Sequence, residues 1–99
     1  MKKKILISAA NGPIMRSLIL LLKKKGFYII GIDASIIGNA DTFCDEFYKS
    51  PKGTSKTFPK FLNKLSSKVE AIYLSSTLED SASVEYDRKR SSLNYVYSF

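Results

Sequence analysis

The stretch Ile5–Asp33, ILISAANGPIMRSLILLLKKKGFYIIGID, constrains the fold more than any other part of the chain. Lys3–Ser8 is a short apolar run that ends in small residues, the pattern of a strand buried on both faces. Asn11-Gly12 is a strong turn pair, and Pro13 suits the first position of a helix. From Ile14 to Lys25 apolar residues recur at helical spacing. Ile14, Leu18 and Leu22 lie four apart, with Met15 and Ile19 beside them. Gly26 supplies the helix stop. Phe27–Ile32 reads as a second strand, which Asp33 ends. Strand, tight turn, helix and strand make a βαβ unit, whose crossover is right-handed and whose strands are parallel. In such a unit the turn after the first strand is where ligands bind.

The rest of the chain extends this unit. Ala34–Asp41, with Gly38 and Asn39, reads as a loop. A short third strand lies within Phe43–Tyr48 and is closed by Pro51, and Lys52–Lys56 is a polar connection. A second helix runs from about Thr57 to Ser67. Its buried stripe is Phe58, Phe61, Leu62 and Leu65, and Pro59 is tolerated in its first turn. Val69–Leu74 is a fourth strand. The order predicts an open α/β domain of three layers with a mainly parallel sheet of about four strands. Ser75–Phe99 is serine-rich and has no clear helical stripe. Within it Asp80–Arg90 reads as a helix and Leu93–Phe99 as a terminal strand. A chain of 99 residues holds one small domain.

Charge invites a nucleic-acid reading, with 16 Lys and Arg against 9 Asp and Glu, a formal +7. The placement of the lysines argues otherwise. Lys23–Lys25 fall at the end of the first helix, where cations complement the helix dipole. Lys56, Lys60, Lys64 and Lys68 lie four apart, the spacing of a solvated helix face. No aromatic–basic motif of an RNA-binding sheet is present. There is no histidine, which removes Ser-His-Asp and Cys-His catalysis and the common zinc sites. The single cysteine, Cys44, cannot form a disulfide within the chain, which fits a reducing compartment. The apolar runs are too short for a signal peptide or a membrane span. The expectation is a cytoplasmic protein without nucleic-acid or membrane partners.

The turn Ser8–Arg16, SAANGPIMR, carries the candidate chemistry. Backbone N–H groups at a helix start favour anions. Gly12 alone permits close approach or positive φ freely. A dinucleotide fingerprint wants three glycines, and with Gly12 in the middle Ala9 and Met15 occupy the other two places. Asp33 follows the turn by about twenty residues, where a dinucleotide fold bonds the ribose hydroxyls; the alternative is a carboxylate that caps the following loop. Arg16, one helical turn in, either reaches a carboxylate or phosphate above the sheet or is simply solvated. Asp45 and Glu46 are adjacent on a strand and point to opposite faces, a poor acid/base pair. Cys44 has no partner to activate it and reads as a buried thiol. Ser75, Ser76 and Thr77 follow the fourth strand at the end that lines the crevice of an open sheet.

The order of these segments also resembles a known family. Ser8–Gly12, Lys25-Gly26-Phe27, Gly31-Ile32-Asp33, Cys44–Tyr48 with Pro51, the helix FPKFLNKL and the strand VEAIYLSS together resemble the N-terminal domain of ATP-grasp ligases. The look is that of proteins similar to the carbamoyl-phosphate synthase large subunit. The resemblance implies a Rossmann-like domain preceding ATP-binding domains, in an enzyme that activates a carboxylate as an acyl phosphate for attack by an amine. It implies ATP and magnesium held by downstream ATP-grasp domains and a small carboxylate substrate. The substrate side falls to Ala10, Asn11, Gly12, Arg16 and Asp33, with Ser75 beside them, and no residue here is catalytic. The resemblance covers residues 3 to about 76. Residues 77–99 depart from the family's pattern and read as a divergent or truncated tail. An exposed sheet edge would favour a homodimer.

Two other classes compete. A small NAD(P)-binding domain, like the front of a short-chain dehydrogenase or epimerase, fits the βαβ unit but lacks two glycines. Its Tyr-x-x-x-Lys pair is matched only by Tyr48 and Lys52, too early and in a loop. A binding module that uses its positive charge predicts steeply salt-dependent association with polyanions.

Overall fold

A computed structural model of the chain describes residues 2–52, 55–74 and 96–98. The strands are β1 (Lys4–Ile7), β2 (Tyr28–Asp33), β3 (Glu46–Lys49), β4 (Ala71–Leu74) and β5 (Val96–Ser98). They form one sheet in the order β3-β2-β1-β4-β5, with parallel pairing throughout. The helices are α1 (Met15–Lys24), α2 (Ala40–Phe43) and α3 (Phe58–Ser66). The expected four strands are all present, and β5 adds a fifth within the stretch expected to end as a strand. The expected helix at Asp80–Arg90 lies outside the described residues.

Side-chain alternation along the central strands sets the layers. Leu6, Ile30, Ile32 and Ile72 face α3 and pack with its Phe58, Leu62 and Leu65. Ile7 and Ile29 point the other way, against Met15 and Ile19 of α1 and Ala40 of α2. Each large apolar side chain buried in this way contributes about 1.5–3 kcal/mol. The lysines of the α3 row, Lys56, Lys60, Lys64 and Lys68, are exposed, as a solvated face requires.

Two local features depart from the sequence pattern. Ile14, expected in the buried stripe of α1, is 71% exposed. Ile14 stands at the N-cap, before the first helical residue, while Leu18 and Leu22 of the same row pack beside Met15 and Ile19. At its far end α1 closes as expected: Gly26 N–H donates to Lys23 O and Phe27 N–H to Leu22 O, a Schellman pair. The expected loop Ala34–Asp41 gives way to α2 at Ala40. Its start is capped from elsewhere in the chain, because Ala40 N–H donates to the side-chain oxygen of Asn11 at 2.9 Å. No local pattern announces such a cap.

Candidate functional site

The turn between β1 and α1 uses its own backbone donors. Ala10 N–H donates to Ile32 O at 3.0 Å, Gly12 N–H to Ala9 O at 2.9 Å and Met15 N–H to Gly12 O at 3.2 Å. Asn11 N–H donates to Asp33 Oδ2 at 3.0 Å. The left-handed residue of the turn is Ala9, with φ 53°, and not Gly12. Sequence reasoning placed the conformational freedom three residues too late.

Asn11 fastens this turn to the β2–α2 loop. Its Nδ2 donates to Ser35 O at 2.8 Å while its Oδ1 accepts the Ala40 N–H. Gly38 makes room for it: at φ 134°, a Cβ there would stand 2.5 Å from Asn11 Oδ1. Asp33 works beside it. One carboxylate oxygen takes the Asn11 N–H and the other takes the Ser35 N–H at 2.9 Å. Asp33 thereby links the turn to the loop that follows β2.

Two cavities flank the start of α1. The first, about 380 Å³, opens toward β4 and is lined by Ala9, Gly12, Pro13, Ile14, Met15, Leu18 and Tyr73. It lies between the carboxyl ends of β1 and β4, where the sheet order changes direction, the usual ligand position in open α/β sheets. The second, about 620 Å³, lies on the other flank, between α1 and α2. Asn11, Gly12 and Arg16 line it together with residues of the α2 segment. The sequence-predicted residues therefore divide. Gly12 borders both cavities, Asn11 and Arg16 border only the second, and Asp33 borders neither. Ala10 is wholly buried, and its methyl group lies where a Cβ on Gly31 would come to 2.9 Å. Ser75, with Ser76 and Thr77, lies outside the described residues.

The remaining titratable groups sit apart from the turn. Cys44 is buried against Gly31, and burial pushes its thiol up to about 11. Asp45 accepts the Ile29 N–H at 2.7 Å and stands 3.8 Å from Lys23 Nζ. Glu46 accepts the hydroxyls of Tyr48 and Tyr28, which hold its carboxyl below the usual range. The two neighbouring carboxylates thus serve separate structural tasks. Among the described residues no three His, Cys, Asp or Glu side chains gather to hold a metal ion. No described helix is long and apolar enough to cross a membrane.

The sequence matches no protein-family model and no curated protein. Solved structures do match. A yeast methylglyoxal/isovaleraldehyde reductase complexed with NADPH superposes with a TM-score of 0.75 at 14% identity, covering 96% of this chain and 36% of that one. The fold is Rossmann-like. The N5-carboxyaminoimidazole synthetase of Staphylococcus aureus complexed with ADP gives 0.72 at 18% identity, covering 96% of this chain and 24% of that one. Glycinamide-RNase-transformylase T from Mycobacterium tuberculosis gives 0.75 at 12% identity, covering 95% and 28%. The neighbours thus include a synthetase complexed with ADP, a transformylase and a reductase complexed with NADPH. The chain spans between about a quarter and a little over a third of the length of these proteins.

Proposed function

We propose that this chain is the substrate-side, Rossmann-like domain of an ATP-dependent carboxylate–amine ligase of the ATP-grasp type. The observation that carries the reading is the engagement of the turn donors. A pyrophosphate needs free N–H groups and a close backbone approach. Here the N–H groups of Ala10, Asn11, Gly12 and Met15 all have partners within the protein. The side chain of Met15 is buried where the third glycine of the fingerprint belongs. Both oxygens of Asp33 accept backbone N–H groups instead of waiting for a ribose. These engaged groups support the ligase reading over a dinucleotide held in the usual cradle. ATP and the metal belong, in this reading, to domains that follow. This chain contributes the cavity between β1 and β4, which takes the body of a small carboxylate substrate. Gly12 borders that cavity, Ser75 follows β4, and Asn11 and Asp33 act as positioning residues that fix the turn.

A second reading, an NAD(P)-binding domain, is favoured by the likeness to the NADPH-complexed reductase. Fluorescence titration separates the two. The ligase reading predicts no enhancement of NADPH emission by the 99-residue chain and no saturable ATP binding up to millimolar concentration. Enhanced NADPH emission would select the second reading, and saturable ATP binding would count against the first.

A further inference from the structure

The groove between α1 and α2 has a chemistry that the proposed substrate cavity lacks. Arg16, Leu20 and Lys23 stand at i, i+4 and i+7 on α1 and form one wall. Asn39, Thr42 and Phe43 form the other. Its volume, about 620 Å³, suits a small-molecule ligand. No carboxylate side chain lines it, so it carries two cations and no anion.

These cations are differently placed. Arg16 is exposed and has no hydrogen-bond or ion-pair partner among the described residues. Lys23 is fixed: its Nζ donates to Phe43 O at 3.0 Å, and Asp45 approaches only to 3.8 Å while accepting the Ile29 N–H. The Cα atoms of Arg16 and Lys23 are about 10 Å apart along the helix. Leu20 and Phe43 supply apolar surface between them. At the Arg16 end the helix dipole is positive and adds to the guanidinium; at the Lys23 end it is negative and offsets the ammonium. An anionic group is therefore favoured at Arg16, whose planar fork matches a phosphate.

We propose that this groove binds a phosphate monoester, with the phosphate on Arg16 and an apolar or ring-bearing body against Leu20 and Phe43. The site lies on the flank of α1 away from β4. It stands or falls independently of the ligase reading.

The test is an amide NMR titration of the whole chain, with phenyl phosphate, inorganic phosphate and sulfate as probes at constant ionic strength. Phenyl phosphate is expected to give saturable shifts at the Asn39, Thr42 and Phe43 amides, and to bind at least several-fold more tightly than inorganic phosphate or sulfate. Arg16→Gln should weaken it about tenfold or more, the loss of a charge-assisted contact. Arg16 is exposed, so this variant keeps the spectrum of the free fold. A second variant, Lys23→Gln, should weaken binding by a smaller factor. Unchanged affinity in Arg16→Gln would overturn the proposal. So would shifts confined to Lys56, Lys60 and Lys64, or equal affinity for phenyl phosphate and sulfate.

Discussion

Replacing Asn11 by alanine should destabilise the chain by about 2 kcal/mol. The figure follows from the two side-chain bonds. Ala40 is wholly buried, and loss of the Asn11 oxygen leaves its N–H without a partner at the first residue of α2. An orphaned buried donor costs about 1–3 kcal/mol. The bond is partly buried, which puts it at about 1.5 kcal/mol within that range. Ser35 O is exposed and rehydrates, which adds only about 0.5 kcal/mol. With a urea m-value of about 1–2 kcal/mol/M, the midpoint should fall by about 1–2 M. The chain has no tryptophan, so far-UV circular dichroism is the suitable signal. Asn39→Ala is the decisive comparison. Asn39 occupies the local cap position of α2, yet its side chain makes no capping bond. Its loss should shift the midpoint by less than about 0.3 M. A larger cost for Asn39→Ala than for Asn11→Ala would refute the remote cap.

Further outcomes follow from the same geometry. Gly38→Ala should also be destabilising, and its cost should be much smaller when Asn11→Ala is already present, because the Cβ clashes with the Asn11 amide; a double-mutant cycle in urea measures this. Gly31→Ala places a Cβ 2.5 Å from Cys44 Sγ and should cost about 1–3 kcal/mol, with partial rescue by Cys44→Ala; additive costs would contradict the contact. The raised Cys44 pKa means that the folded chain holds the thiol proton longer than the unfolded one. The stability linked to it is whole below pH 9 and is lost as pH rises toward about 11, and alkylation at pH 8 should be much slower in buffer than in urea. Glu46 runs the opposite way. Its lowered pKa contributes stability above the unfolded glutamate value that is lost on acidification, and replacing both Tyr28 and Tyr48 with phenylalanine should shift its NMR titration upward.

The sheet was largely legible because its signals are local. The continuous apolar runs Ile5–Ile7 and Ile29–Ile32, which pack on both faces of the sheet, and the i, i+3, i+4, i+7 row of α3 are written in neighbouring residues. The candidate site was legible only as a location. The turn was found, but its left-handed residue, Ala9, carries an ordinary methyl group and gives no sign of its backbone angle. The role of Asn11 depends on Ser35 and Ala40, far along the chain, so no spacing rule exposes it. The Arg16–Leu20–Lys23 row was present in the sequence as a helical face. It gained meaning only when α2, unannounced by any local cap, supplied the opposite wall.

The central claim is that the N–H groups of Ala10, Asn11 and Gly12 in the turn after β1 are held by partners within the protein and do not serve a dinucleotide. The most direct measurement is an amide NMR titration of the 99-residue chain with NADPH, followed at Ala10, Asn11 and Gly12. The account predicts that these three signals stay in place up to millimolar NADPH. Saturable shifts at them would contradict it and make the turn a dinucleotide cradle after all.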